Sequence, residues 1–245
     1  YKTLLDADIN RFTAPFWGGY DALDITKPDP FYNVGIGTDE TTSYTYNTLK
    51  RALDTVADPE YIDMNLLSMP GITNATLTTH MVNLCEERAD AMAVIDLPDV
   101  YVPAHEERLT RVQRRRATVS SATSALRERR IDSSYGCTFY PWVQTRDETT
   151  GQLVWIPPSV AMMGVLASSQ AASDLWFAPA GFNRGGLSDG AAGIPVVNVT
   201  ERLASKDRDT LYENRINPIA SFPSTGIVVF GQRTLQERGT ALDRI

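Results

Sequence analysis

The chain has only two cysteines and two histidines among its 245 residues. Two thiols exclude a disulfide framework. Two separated imidazoles, His80 and His105, do not supply a metal cluster. His80 lies five residues before Cys85, so the pair is not stacked at the i, i+4 spacing. No HExxH zinc motif and no GxSxG serine elbow occurs. Gly35-Ile36-Gly37 lacks the third glycine and the long preceding strand of a dinucleotide fingerprint, and reads as a plain loop. Basic residues are outnumbered, 23 Lys and Arg against 30 Asp and Glu, for a formal net charge of −7. That balance argues against a dedicated nucleic-acid surface. The chain contains no run of eighteen apolar residues and no signal peptide, so no membrane insertion is expected.

What is present is core-forming material: 42% of the residues are hydrophobic and 22% charged. This composition supports one large domain, or a core with a smaller lobe. The stretch 61–98 is the organising segment. Tyr61 to Met69 is short, apolar-rich and punctuated by Pro70-Gly71, a strand and a turn. Asn74 is placed to cap a helix. Leu77, Met81, Leu84 and Cys85 then share one helical face, with Glu86, Glu87, Arg88 and Asp90 on a wetter one. Ala91 to Leu97 is a second apolar run stopped by Pro98. Strand, helix and strand at this length make a βαβ unit with parallel strands and a right-handed crossover. Tyr44 to Ala57 is a preceding helix, with Tyr46, Leu49, Leu53 and Val56 as its apolar stripe and Asp58-Pro59 as its stop. The rhythm is α/β rather than bundle or sandwich.

Glu106 to Arg130 is charged and reads as one interrupted helix or two short ones, broken around Thr118 to Ser124. Ser134 to Pro158 reads as a β-hairpin whose loop is Asp147 to Gly151. Pro158 prepares Ser159 as the cap of a helix over Val160 to Gln170. Its small residues, Ala161, Gly164 and Ala167, permit close packing. Phe182 to Gly193 reads as a glycine-rich surface loop. Ile194 to Val199 is a strand, Arg202 to Leu211 a polar helix seated through Leu203 and Leu211, and Ile227 to Phe230 a buried strand. The expected fold is therefore α/β, a mixed or mainly parallel sheet with flanking helices and a β-hairpin. Cys85 and Cys137 both fall on apolar runs and are expected to be buried thiols.

Two groups merit a functional reading. Asp96, at the end of a strand, occupies a position that α/β enzymes use for catalysis, but no base or cofactor loop accompanies it. Arg114, Arg115 and Arg116 form the densest positive cluster. They read as a solvated helix face, as a contact for an acidic patch on a protein partner, or as a site for a phosphate backbone.

Three blocks carry a resemblance. FTAPFWGGYDALDI (residues 12–25) is similar to a strand, glycine pair and acidic loop of the tail sheath proteins of contractile-tailed bacteriophages. Residues 133–187, with YPWV, a PPS-initiated helix and WFAPAG in order, resemble that family's central region. NRINPIASFPSTGIVVFGQRTL (residues 214–235) resembles its strand-forming segment near the end of the core. The resemblance implies a sheath-type core fragment over residues 1–245 that lacks both terminal regions. Residues 1–43 would be peripheral or irregular, 44–98 an αβαβ segment and 133–245 the conserved sheath-like region. It implies a structural, non-enzymatic subunit without cofactor or metal, whose partners are other sheath subunits, the tail tube and the baseplate. The sheath would surround the tube in the virion, after assembly in the host cytoplasm, and shorten to drive the tube through the host envelope. Arg114, Arg115 and Arg116 are then the candidate inter-subunit contacts. The two rival readings are an α/β enzyme with a site near Asp96 and a nucleic-acid-binding domain using Arg114 to Arg116.

Overall fold

The computed structural model describes Ile36, residues 43–98 and residues 118–239. All of them fall in the compact unit Phe31–Ile245. Helix α1 (Tyr44–Thr55) opens at Ser43, whose hydroxyl accepts the Tyr46 N–H at 3.2 Å. Its Tyr46 and Leu53 are buried, as the apolar stripe requires. Strand β1 is only Leu66–Ser68, shorter than the Tyr61 to Met69 run. The reason lies in residues 58–62, where the N–H groups of Tyr61 and Ile62 turn back onto the Asp58 carbonyl. The Ile62 carbonyl meanwhile accepts from the Arg88 guanidinium, so these groups serve a turn and not a sheet ladder.

Asn74 caps helix α2 (Ala75–Arg88) by accepting the N–H groups of Thr76 and Leu77. Leu77, Met81, Leu84 and Cys85 are all buried along one face. Strand β2 (Met92–Ile95) then pairs parallel to β1, with Leu66 opposite Met92. Arg88 departs from the expected wet face. Its side chain is buried and donates to the carbonyls of Val56 and Ile62 and, through two nitrogens, to Asp90. Helix α3 (Val119–Arg129) corrects the expected break around Thr118 to Ser124. Thr118 is its N-cap, and the Thr118 and Ser121 side chains satisfy each other's backbone N–H. A serine- and threonine-rich run therefore starts this helix.

Strand β3 (Gly136–Tyr140) follows parallel to β2. The hairpin expected over Ser134 to Pro158 forms only from strand β4 (Val143–Arg146) and strand β5 (Leu153–Ile156), because Gly136–Tyr140 is taken up by the parallel main sheet. Helix α4 (Pro158–Ala172) has Pro157 as N-cap and Pro158 in its first turn. Ser159 is thus inside the helix and not its cap, because proline at the first helical position already suits the missing N–H. Strand β6 (Val196–Val199) pairs antiparallel to the other side of β4. Helix α5 (Ser205–Glu213) buries Leu211. Strand β7 (Asn217–Phe222) lies parallel to β3, and β8 (Gly226–Val229) returns antiparallel to β7.

The main sheet has the order β1-β2-β3-β7-β8, and a second, antiparallel sheet has the order β5-β4-β6. Both faces of the main sheet are covered, as a parallel sheet demands. Ala93 and Ile95 of β2 join Met81, Leu126 and Leu211 in one core, formed with α2, α3 and α5. Val94, one residue out of phase, joins Phe139, Met162, Val165, Val196 and Ile219 in the other, formed with α4 and the small sheet. The glycine-rich segment 182–193 is not all surface. Leu187 is fully buried, Gly186 bridges to Val228, and Leu187 N–H donates to the Ile227 carbonyl at 2.8 Å. The segment thereby covers the outer edge of β8.

Candidate functional site

Asp96 stands one residue beyond β2 and is 1% exposed. Its carboxylate accepts the Ser159 N–H at 3.1 Å, the Ser159 hydroxyl at 2.7 Å and the Gly71 N–H at 2.9 Å. Burial pushes its pKa up to about 6, against the lowering effect of those hydrogen bonds. All three donors belong to the fold itself: the turn before α2 and the first turn of α4. The arrangement is a clamp between a strand end, a turn and the first turn of a helix, with the carboxylate taken up by donors of the fold.

The other residues singled out by sequence scatter. His80 Nε2 lies 2.8 Å from Asp54 on α1, in a partly exposed pair. Cys85 and Cys137 are free and buried, and burial pushes their thiols up to about 11 and about 12, respectively. Neither has the electropositive, exposed setting of a reactive thiol. Among the described residues, no group of three or more His, Cys, Asp or Glu is placed to hold a metal ion. Among them, too, no helix is long and apolar enough to cross a membrane. His105, Gly35, Gly37, the block 12–25 and Arg114, Arg115 and Arg116 lie outside the described residues.

Sequence reasoning missed an aromatic surface at the β7–β8 end of the main sheet. Phe182, Phe222 and Phe230 form a triangle with ring centres 5.2, 5.3 and 5.8 Å apart. The Arg208 guanidinium of α5 stands 5.4 Å from the Phe222 ring centre and 5.9 Å from that of Phe230. That is cation–π range. Phe182 and Phe230 remain 52% and 42% exposed. A groove of about 550 Å³ opens beside them, lined by Arg208, Asp209, Tyr212, Phe230 and Gln232 among others. Arg233 lies over the Tyr212 ring at 5.7 Å. Arg184 covers Phe177 at 4.4 Å, next to the exposed Trp176. Phe182 is 40 residues from Phe222, and all three phenylalanines sit beside glycine or proline, where no periodicity marks them. Only the pairing of β7 with β8, and of the 182–188 segment with β8, brings them together.

No protein-family model matches the chain. Curated relatives do. The tail sheath protein of Enterobacteria phage T4 is 25% identical over 218 residues, covering 85% of this chain and 32% of that protein. The tail sheath protein of Salmonella phage ViI is 30% identical over 165 residues, 66% of this chain and 25% of the relative. That of Vibrio phage KVP40 is 36% identical over 91 residues, 37% and 13% respectively. The chain thus spans about a third or less of the length of these relatives. Among solved structures, the sheath complex of an extracellular contractile injection system (PVC) in its contracted state matches with a TM-score of 0.53 at 23% identity, covering 76% of this chain and 45% of that one. The contracted helical sheath of the anti-feeding prophage matches with a TM-score of 0.50 at 18% identity, covering 85% and 50%. The fold is that of contractile injection sheath subunits. Sequence and structure together point to the phage tail sheath and contractile injection system proteins.

Proposed function

We propose that this chain is the core of a structural subunit of a contractile tail sheath, located in the virion, that surrounds the tail tube and shortens to drive it through the host envelope. The observation that carries this reading is the double match. Three phage tail sheath proteins align in sequence, one of them over 85% of the chain, and contractile sheaths share its fold. The role is mechanical and non-enzymatic. A close-packed α/β core with two apolar layers transmits displacement between neighbours because its interior does not deform continuously. Its partners are other sheath subunits, the tube and the baseplate. Arg114, Arg115 and Arg116 are proposed to orient an acidic patch on such a neighbour. The rival enzyme reading is disfavoured by the use of all three Asp96 hydrogen bonds within the fold.

Electron microscopy of particles containing the full-length protein tests the reading. Subunit density outside a tube, in an extended form and in a shorter, wider one, is the expected result. Particles in which this protein lies inside the tube or the capsid would refute it.

A further inference from the structure

Two surfaces of opposite character are left open on the described residues. One is the groove beside Phe230, lined by Arg208, Asp209 and Tyr212, with Arg208 within cation–π range of Phe230 and Arg233, outside the lining, over the Tyr212 ring. The other is the β4–β5 hairpin. Strand β5 lies at the outer edge of the small sheet. Its neighbouring Leu153 and Val154 point to opposite faces, yet they are 51% and 37% exposed. An apolar edge strand uncovered on both faces is a surface that proteins normally pair or protect. The hairpin turn carries Asp147 and Glu148, directly after the exposed Arg146 at the end of β4. Asp147 is fixed by the N–H groups of Thr149 and Thr150 and by the Thr150 hydroxyl. Those bonds, the Thr150 hydroxyl first, hold its carboxyl below the usual carboxylate range, so Asp147 is ionised and its turn pre-ordered, and the two carboxylates outweigh Arg146.

We propose that the groove lined by Arg208, Tyr212 and Phe230 receives the β4–β5 hairpin of a second copy of this chain. The inference rests on the sheath reading above and names the partner surface within it. Charge and apolar character match together: an acidic tip beside Leu153 and Val154 meets arginines standing on exposed aromatic rings. The two patches are different parts of the chain, so the contact is head-to-tail. Head-to-tail contacts that do not close into a ring propagate as helical filaments. Rings stacked under Arg208 and Arg233 restrict the guanidinium groups before binding, which lowers the ordering cost of the contact.

The test uses the full-length protein. Arg208→Glu and Glu148→Arg each set like charges against each other and are expected to reduce assembly into tubes by about tenfold. The two changes together restore an opposite-sign pair and should recover most of the loss. Circular dichroism and thermal melting verify that each variant folds. Independently, Thr149→Cys and Gln232→Cys are introduced in separate, differently tagged chains and mixed under mild oxidation. A mixed disulfide dimer is expected only when both are present. Normal assembly of both charge variants, or failure of both rescue and cross-linking, overturns the proposal. If the unaltered protein forms no sheath around a tube, the proposed function fails instead. The cross-link is read on soluble protein and does not depend on that outcome.

Discussion

The Ser159 hydroxyl and N–H both end on the Asp96 carboxylate, at 2.7 and 3.1 Å, across 63 residues of chain. Ser159 lies in the first turn of α4, where N–H groups lack intrahelical acceptors. The carboxylate satisfies one of them and lies near the positive end of the helix. With Gly71 donating from the other side, one buried side chain fixes the end of β2, the entry to α2 and the start of α4.

That clamp gives a signed pH dependence. Burial, opposed by hydrogen bonds from Ser159 and Gly71, raises the Asp96 pKa from 3.8 to about 6. Between those values the folded chain holds a proton that the unfolded chain has lost. Stability contributed by this site is therefore present at low pH and declines as pH rises through roughly 4 to 6. The decline is of order 3 kcal/mol. Asp96→Asn removes the titration. Urea unfolding at several pH values should show the wild-type slope in that window and a flatter profile for the variant. The variant is also less stable at low pH, because its amide N–H faces a donor. An unchanged slope would show that Asp96 is not the titrating group.

Asn217 is a second buried hub. Its amide nitrogen donates to the carbonyls of Thr138 and Arg233, and its oxygen accepts the Arg233 N–H at 2.6 Å. It thus ties β3 to the segment leaving β8. Asn217→Ala leaves three backbone groups without that partner and should cost about 2–3 kcal/mol. Asn217→Asp should cost at least as much, since a carboxylate would face two carbonyls. Chemical denaturation of both variants measures this, and losses under about 0.5 kcal/mol would contradict it.

Gly164 of α4 is set by close approach. A Cβ there would lie 2.0 Å from the Ala192 carbonyl oxygen, which is backbone and cannot rotate away. Gly164→Ala should destabilise by about 1–3 kcal/mol, although alanine is the better helix former. The exposed neighbour Ala167 provides the control: Ala167→Ser should change stability by no more than about 0.5 kcal/mol. A stabilised Gly164→Ala protein would mean that the segment around Ala192 can move aside.

Local signals in the sequence were sufficient where local chemistry decides the outcome. The Asn74 cap, the Leu77–Met81–Leu84–Cys85 face and the β4–β5 turn at Asp147 to Gly151 each depend on atoms within a few residues. Long-range partners were not legible. Arg88 looks like a surface residue by its neighbours in the sequence, yet its acceptors at Val56 and Ile62 are 32 and 26 residues away. The same holds for the Phe182–Phe222–Phe230 triangle, for the burial of Leu187 against β8 and for the steric reason behind Gly164. Composition at 118–124 misled for a different reason. Serine and threonine interrupt helix interiors but start helices well, and the capping pair Thr118–Ser121 decides which applies.

The arginine triplet Arg114-Arg115-Arg116 carries the last prediction. Three cations adjacent in sequence stand out in a chain whose formal net charge is −7. If they orient a neighbouring subunit, each contact contributes little, since exposed ion pairs are typically worth about 0–1 kcal/mol. A single substitution is therefore expected to be silent. The triple change Arg114→Ala, Arg115→Ala, Arg116→Ala acts at every equivalent contact of a lattice, and the losses accumulate along it. In the full-length protein it should leave folding unchanged by circular dichroism and shift the salt concentration at which sheath assembly or contraction occurs. Screening lengths near 8 Å at physiological ionic strength make that salt dependence the sensitive readout. An unaltered salt profile with normal assembly removes the triplet from the interface and leaves it as a solvated charge cluster.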